Sequence, residues 1–276
     1  MRKVGLLLII CSALIGCSSK FVYNNMDWLL VEYLEDYVEL DNAQEALVER
    51  KIEVLSEWHR REEIPHYIDH LDELMAIEPQ SFTIEQLQAQ QDKIQQHSLR
   101  LVARIAPEMY ALARELSDSQ VDELMDSIRV RHTKYKKKYQ KLSEVEIKAR
   151  YKERIVDSLE TWMDDLTQDQ LKIVDDWVDD LYVTTDDWIN YQTNMRIEMN
   201  SLLDRRLNVA SFQPQFNKLM FNPDSLYPPH LEEKIEYNKQ VGNQFLIRVI
   251  NAMTEEQTEY YREELQDWKD LAQSVL

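Results

Sequence analysis

Gly242 is the only glycine between Cys17 and the C-terminus of this 276-residue chain, Gly5 and Gly16 being the other two. Tight hairpins, dinucleotide folds and phosphate-cradling loops need glycine where φ is positive or where backbone must approach a ligand. A long chain nearly without it is expected to be all-α. Nucleotide-binding loops and the glycine-flanked serine elbow drop out together with the sheets.

Five copies of one short pattern mark where helices begin. Phe82-Thr83-x-x-Gln86, Leu116-Ser117-x-x-Gln120, Leu142-Ser143-x-x-Glu146, Leu166-Thr167-x-x-Gln170 and Met253-Thr254-x-x-Gln257 all read hydrophobe, hydroxyl, two residues, Gln or Glu. With the hydroxyl residue as N-cap, its side chain accepts from the N3 amide while the N3 side chain accepts the cap's own N–H. The preceding hydrophobe then faces the N4 residue across the first turn, as Phe82 faces Leu87 and Leu166 faces Leu171. Each such cap stabilises a helix by about 1 kcal/mol. In the last copy N4 is Thr258, a poor staple, so that start is expected to fray first. The caps fall at 83, 117, 143, 167 and 254, which is not the fixed period of a solenoid.

Apolar residues spaced three and four apart add further helices. One begins at Asp27, one runs from Asn42 to about Arg61 behind a cap at Asp41, and one starts at Pro65 and ends before Pro79. Others run from about Asp186 to Leu207, from about His230 to Asn251 and from Glu255 to Val275. The helix from Ile84 is expected to reach Leu116 with a kink near Pro107. Residues 208–229 hold Pro214, Pro223, Pro228 and Pro229 among Phe212, Phe216, Phe221 and Tyr227, and read as a long irregular connection lying along the helices. The expected architecture is a single elongated or irregular bundle of about nine helices over 27–276, with the tryptophans as core anchors whose ring N–H groups find partners.

Residues 1–16 carry Arg2 and Lys3, an apolar run and small residues before Cys17, the layout of a secretory signal too short to span a bilayer permanently. Leu14-Ile15-Gly16-Cys17 resembles a bacterial lipobox. The resemblance implies cleavage between Gly16 and Cys17, and diacylglyceryl and N-acyl chains, palmitate among them, on Cys17. Several buried chains anchor stably where one does not. Residues 17–26 then form the lipidated N-terminus and a short tether. Ser18 and Ser19, where an Asp would resemble an inner-membrane retention signal, favour the periplasmic face of the outer membrane. Cys11 leaves with the signal, so no thiol remains for a disulfide, a nucleophile or a metal site.

Asp and Glu number 51 against 32 Lys and Arg, and losing Arg2 and Lys3 takes the net charge from −19 to −21. Such a chain is repelled by nucleic acid. Against that background residues 129–154 carry eleven Lys and Arg and three Glu, interleaved with Tyr135, Tyr139 and Tyr151. Arg129, Arg131, Lys134, Lys136, Lys137, Lys138 and Lys141 are the candidates for binding an anionic partner, an envelope protein or an anionic envelope polymer. The competing reading, given more weight, is internal pairing with 160–187, where Glu160 and nine Asp stand against Lys172. His66 and His70, at i and i+4 on one helix, are the nearest approach to metal-ligand spacing, but His66-Tyr67-Ile68-Asp69-His70 lacks the Glu that follows the first His of zinc-protease helices.

Cys17-Ser18, Tyr23-Asn24-Asn25-x-Asp27-Trp28-Leu29, Trp58-His59-Arg60 and Pro65-x-Tyr67 together resemble an uncharacterised family of proteobacterial outer-membrane lipoproteins. That resemblance implies a lipid-anchored helical periplasmic body and transfers no activity. The Leu166-Thr167-x-x-Gln170 pattern is similar to the Leu-Thr-x-x-Gln motifs of small periplasmic stress chaperones. The expected function is therefore non-catalytic binding or envelope maintenance, with no cofactor beyond the covalent lipid. An ATP-independent holdase is the alternative, and a metal-assisted hydrolase at His66 and His70 ranks below both.

Overall fold

The computed structural model describes residues 26–276. Gly16, Cys17, the signal and nearly all of the tether lie outside the described residues. Eleven α-helices and no strand occur among the described residues: α1 (Met26–Glu35), α2 (Asn42–Trp58), α3 (Ile64–Met75), α4 (Ile84–Glu115), α5 (Asp118–Tyr139), α6 (Glu144–Met163), α7 (Gln168–Asp180), α8 (Thr185–Leu203), α9 (Val209–Phe221), α10 (Pro229–Asn251) and α11 (Glu255–Ser274). The all-α class holds.

The described residues divide into two compact units. One comprises the chain up to Ile77 together with Arg262–Leu276, the other Glu78–Tyr261. Apolar residues near the end of the chain, Leu265 and Val275, are buried with the first unit. Lys269 Nζ also reaches Asp72 Oδ1 there at 2.5 Å. Periodicity within a helix does not show which distant helix will cover it.

In the first unit α2 opens on a capping box of its own. Gln44 N–H donates to Asp41 Oδ1 at 2.9 Å and Asp41 N–H to Gln44 Oε1 at 3.0 Å. Between α2 and α3 the chain forms a π-helical turn, His59–Glu63. Pro65 has no N–H to offer the helix ladder. The preceding Ile64 N–H bonds five residues back, to His59 O, so the two helices join through an extra residue.

In the second unit all five expected boxes form, at Thr83, Ser117, Ser143, Thr167 and Thr254. The Ser143 backbone N–H, and after it the Ser143 hydroxyl, hold the Glu146 carboxyl below the usual range. α4 runs unbroken over 32 residues with Pro107 inside it. α8 packs on α5, α10 on α7, α6 on α7, and α9 on α4. The buried Arg206, just past α8, donates to Leu116 O at 2.8 Å and to Leu203 O at 3.1 Å and pairs with Asp118. It ties the end of one helix to the start of another.

The segment 208–229 is not the irregular connection expected. It contains α9 and a 3-10 turn, Pro223–Leu226. Asn208 caps α9 through Ser211 N–H at 3.3 Å, and Phe212 and Phe216, one turn apart, are buried against Tyr110 with ring centroids 5.2 and 5.4 Å away. An interior proline costs a helix about 3 kcal/mol. Two buried phenyl groups return about 1.5–3 kcal/mol each, so α9 forms around Pro214.

The Met253 copy also departs from expectation, because it is one of the two copies, with Thr167, whose Gln is buried. Gln170 and Gln257 are both buried and exchange reciprocal hydrogen bonds, Nε2 to Oε1 in each direction, at 2.9 Å. Each Oε1 also accepts its own cap's N–H, Thr167 at 2.9 Å and Thr254 at 3.1 Å. The remaining amide hydrogens go to the carbonyls two residues before the partner's cap, Gln257 to Asp165 at 2.9 Å and Gln170 to Ala252 at 3.5 Å. Both carboxamides are saturated. Thr258, unable to staple, is instead buried with its hydroxyl on Thr254 O at 2.8 Å, and Gln80 donates to it at 3.3 Å. Tertiary enclosure, not the staple, decides which start is held.

The geometry predicts strong coupling between the two glutamines. Gln170→Ala and Gln257→Ala should each lower the unfolding free energy by about 2–4 kcal/mol, from the lost bond to the cap's own N–H plus the stranded partner amide. The double variant should lose at least about 1 kcal/mol less than the sum. Denaturant titration of the four proteins measures this. Strict additivity would show that the pair does not act as a unit.

Candidate anion-binding site

α6 carries its cations in two stripes. Lys148 and Lys152 lie one turn apart, as do Arg150 and Arg154, and residues two apart on a helix point to different sides. The lysine stripe faces α7, with Lys148 Nζ donating to Asp179 O at 2.8 Å and Lys152 paired with Asp175. Internal pairing with the Asp-rich stretch is therefore real but partial. The arginine stripe turns to tyrosines. The Arg150 guanidinium lies 5.7 Å from the Tyr139 ring centroid and that of Arg154 5.2 Å from the Tyr151 ring, while Tyr135 and Tyr139 sit 4.6 Å apart. Guanidinium groups resting on ring faces are held in place while their Nη edges can still donate, and Arg154 Nε donates to Arg150 O at 3.4 Å.

These side chains enclose a cavity of about 220 Å³ that also takes in Thr184, Thr185, Trp188 and Asn238. Allowing about 30 Å³ for each water, it has room for roughly seven waters or one compact polar group. Thr184 and Thr185 are the cap and first residue of α8, and Thr184 makes no side-chain cap, so the positive end of that helix opens here. The Thr184 N–H donates to Tyr151 Oη at 3.4 Å. Asn238 fixes the approach to α8 by exchanging hydrogen bonds with Tyr182 of 2.9 and 2.8 Å. Lys234 holds Val183 O at 3.1 Å and Asp187 at 2.8 Å, which offsets one of the two acids in the first turn of α8. Asp186 stays exposed and opposes an anion.

Burial, reinforced by Tyr139 and Tyr151, pushes the Tyr135 phenol above its usual range, with Arg154 acting the other way. The phenol is therefore an O–H donor throughout the neutral range. Three tyrosines, two arginines and two threonines, all able to donate hydrogen bonds, are among the residues lining the cavity. Burial, and then Arg196, keep the half-buried His132 below its usual value, so it is neutral at pH 7 and adds no charge.

The expected basic residues divide by helix. Arg129 bonds its own neighbour Asp126 at 3.1 Å, and Arg131 is half-buried. Lys134, Lys136, Lys137, Lys138 and Lys141 are exposed and make no salt bridge among the described residues; Lys138 lies 5.0 Å from the Tyr139 ring. They fringe the tyrosines without lining the cavity. Arg150 and Arg154 do line it. Their i, i+4 spacing beside tyrosines is a signal the sequence carries; the contribution of Thr184, Thr185, Trp188 and Asn238, from distant segments, is not.

His66 is exposed while His70 is buried, so the pair offers no common open face, and no group of three His, Cys, Asp or Glu side chains suited to a metal ion occurs among the described residues. No helix among the described residues is long and apolar enough to cross a membrane. Trp177 breaks the expectation for tryptophans, since its buried Nε1 has no hydrogen-bond partner among the described residues.

The model of DUF6279, a family of unknown function, matches residues 36–232. The chain belongs to this family. DUF6279 thus spans α5, α6 and the start of α8, hence nearly the whole cavity, and leaves out Asn238. No curated protein and no solved structure matches the chain. The Trp58-His59-Arg60 and Pro65-x-Tyr67 motifs fall within the DUF6279 match, at the π-helical turn. There the His59 ring lies 5.5 Å from Tyr67, and Glu63 is fully buried. Burial lowers the His59 pKa, with Glu63 opposing.

The raised Tyr135 pKa has a direct readout. In alkaline spectrophotometric titration, the difference between wild type and Tyr135→Phe should show a phenol ionising above pH 10, the ordinary tyrosine value. A difference centred at or below that value would mean that the cavity wall is solvated.

Proposed function

We propose that this DUF6279 protein is a lipid-anchored, non-catalytic helical protein of the bacterial envelope that binds an anionic ligand by a phosphate-type head group. The observation that carries the reading is the Arg150 and Arg154 pair, each resting on a tyrosine ring at a cavity rich in donors. Arg is the side chain suited to forked recognition of phosphate oxygens, and a stacked guanidinium loses little freedom on binding. The exposed lysines of α5 would draw anions toward the site in a salt-dependent way. Nothing in this assignment requires bond making.

The anchor rests on Leu14-Ile15-Gly16-Cys17 closing a signal-like segment. Attachment at Cys17 to a proteobacterial outer membrane, facing the periplasm, would set the cavity among phosphate-bearing lipids and polymers. The holdase alternative rests on the Leu-Thr-x-x-Gln resemblance, a pattern that helix capping accounts for without a client. Gln86, Gln120, Gln170 and Gln257 are all engaged in capping their own helices.

Two measurements test the proposal. Calorimetric titration with methyl phosphate should show one saturable site, weakened about tenfold or more by Arg150→Gln or Arg154→Gln, as expected for a lost charge-assisted hydrogen bond. Replacing Lys136, Lys137 and Lys138 by Gln should leave that affinity within a few-fold. Absence of saturable binding would overturn the reading. Separately, Cys17→Ser in a bacterial host should move the protein from the membrane to the soluble fraction; unchanged membrane association would refute the anchor.

A further inference from the structure

A second concavity adjoins the arginine–tyrosine cavity. It is a groove of about 510 Å³ formed by α6, α7 and α10, and it shares Tyr151, Arg154 and Asn238 with the cavity. Away from these three its walls are Ile155, Leu159, Trp177, Leu181 and Leu246, with Ser158 the one added polar residue. The volume lies within the range of small-molecule sites. The chemistry changes from cationic to hydrocarbon across one side chain, Arg154, whose stem can cover apolar surface while its head faces the anion.

Three further features suit the groove to a hydrocarbon chain. Its floor is the core itself, since Ile155 and Leu246 pack against the buried cluster containing Leu159, Val174 and Val249. Gly242 lies against the Trp177 indole, which an added Cβ would meet at an ordinary contact distance of 3.4 Å. The buried indole N–H has no partner among the described residues, so Trp177 presents chiefly an apolar ring. A bound peptide would need partners for its backbone amides, and this wall offers few. A chain of methylenes needs none.

We infer that the cavity and groove form one bipartite site for a single-chain anionic amphiphile, the phosphate held by Arg150 and Arg154 and the chain laid along Ile155, Trp177, Leu181 and Leu246. The inference rests on the head-group reading above and adds the ligand class. Charge complementarity fixes the head end, and continuity through Arg154 fixes where the chain begins. A tail leaving the cavity over the start of α8 would instead have to cross Thr184 and Thr185.

Methyl, butyl and octyl phosphate, each below its micelle concentration, test this by calorimetry on the full chain carrying Cys17→Ser. Affinity should rise with chain length, octyl phosphate binding about a hundredfold tighter than methyl phosphate if its added methylenes are half buried. An octyl phosphate brominated at its far end should quench tryptophan fluorescence, and Trp177→Phe should remove most of that quenching with little change in methyl phosphate affinity. Equal affinities across the series would overturn the groove assignment while the head-group reading stood. No binding of any member would overturn both. Displacement of octyl phosphate by an acidic peptide, without a chain-length effect, would make the groove a peptide site and likewise refute the lipid assignment.

Discussion

The reciprocal amide bond between Gln170 and Gln257 is the contact on which the second unit turns. Two helix starts, 87 residues apart in sequence, each complete the other's hydrogen bonding in a buried setting. The hydrophobes before the two caps, Leu166 and Met253, enter the same core cluster as Val174 and Val249. Fixing these starts sets α7 against α10. The turn into α7 is correspondingly sharp. Asp164 takes φ 56°, the one positive φ at a non-glycine residue among the described residues. A conformation that favours glycine falls on an aspartate because the chain has almost none to offer, at a cost of about 1–3 kcal/mol. The carbonyl next along, that of Asp165, is the one Gln257 holds.

Charge in this chain is sorted by helix face more than by stretch of sequence. Residues 129–154 read as one basic block, yet Lys148 and Lys152 are spent on α7, Arg129 on its own helix, and Arg150 and Arg154 on tyrosines. The two ion pairs among these, Lys152–Asp175 and Arg129–Asp126, are exposed and contribute little to stability. Their larger consequence is orientation, since the lysine contacts with α7 turn the arginines toward the cavity. The same α7 that takes the lysines supplies Trp177 to the groove, so its placement by the Gln pair also shapes the candidate site.

Much of the architecture is legible in the residues. Cap chemistry is local, involving atoms within four residues, and five boxes form at the five expected positions. The failures are non-local. Pro214 signals a break, and only the meeting of Phe212 and Phe216 with Tyr110, more than 100 residues earlier, makes a helix worth its proline. Thr258 signals a weak start, and only Gln80 and Gln170 from elsewhere in the chain enclose it. The π-helical turn at His59–Glu63 could be suspected from Pro65 but not located by it.

For the candidate site the division is similar. The sequence by itself determined the all-helical class, through its lack of glycine, and the positions of the helix starts, through Ser, Thr, Gln and Glu at fixed offsets. It also held the arginines and tyrosines of α5 and α6 at helical spacing. Only the tertiary structure decided which cations are neutralised and that Thr184, Trp188 and Asn238 close a cavity beside them. It alone joined an apolar groove to that cavity through Arg154. Hydrogen bonds within a turn follow from neighbouring residues, whereas burial depends on which distant surface arrives, and no local pattern carries that information.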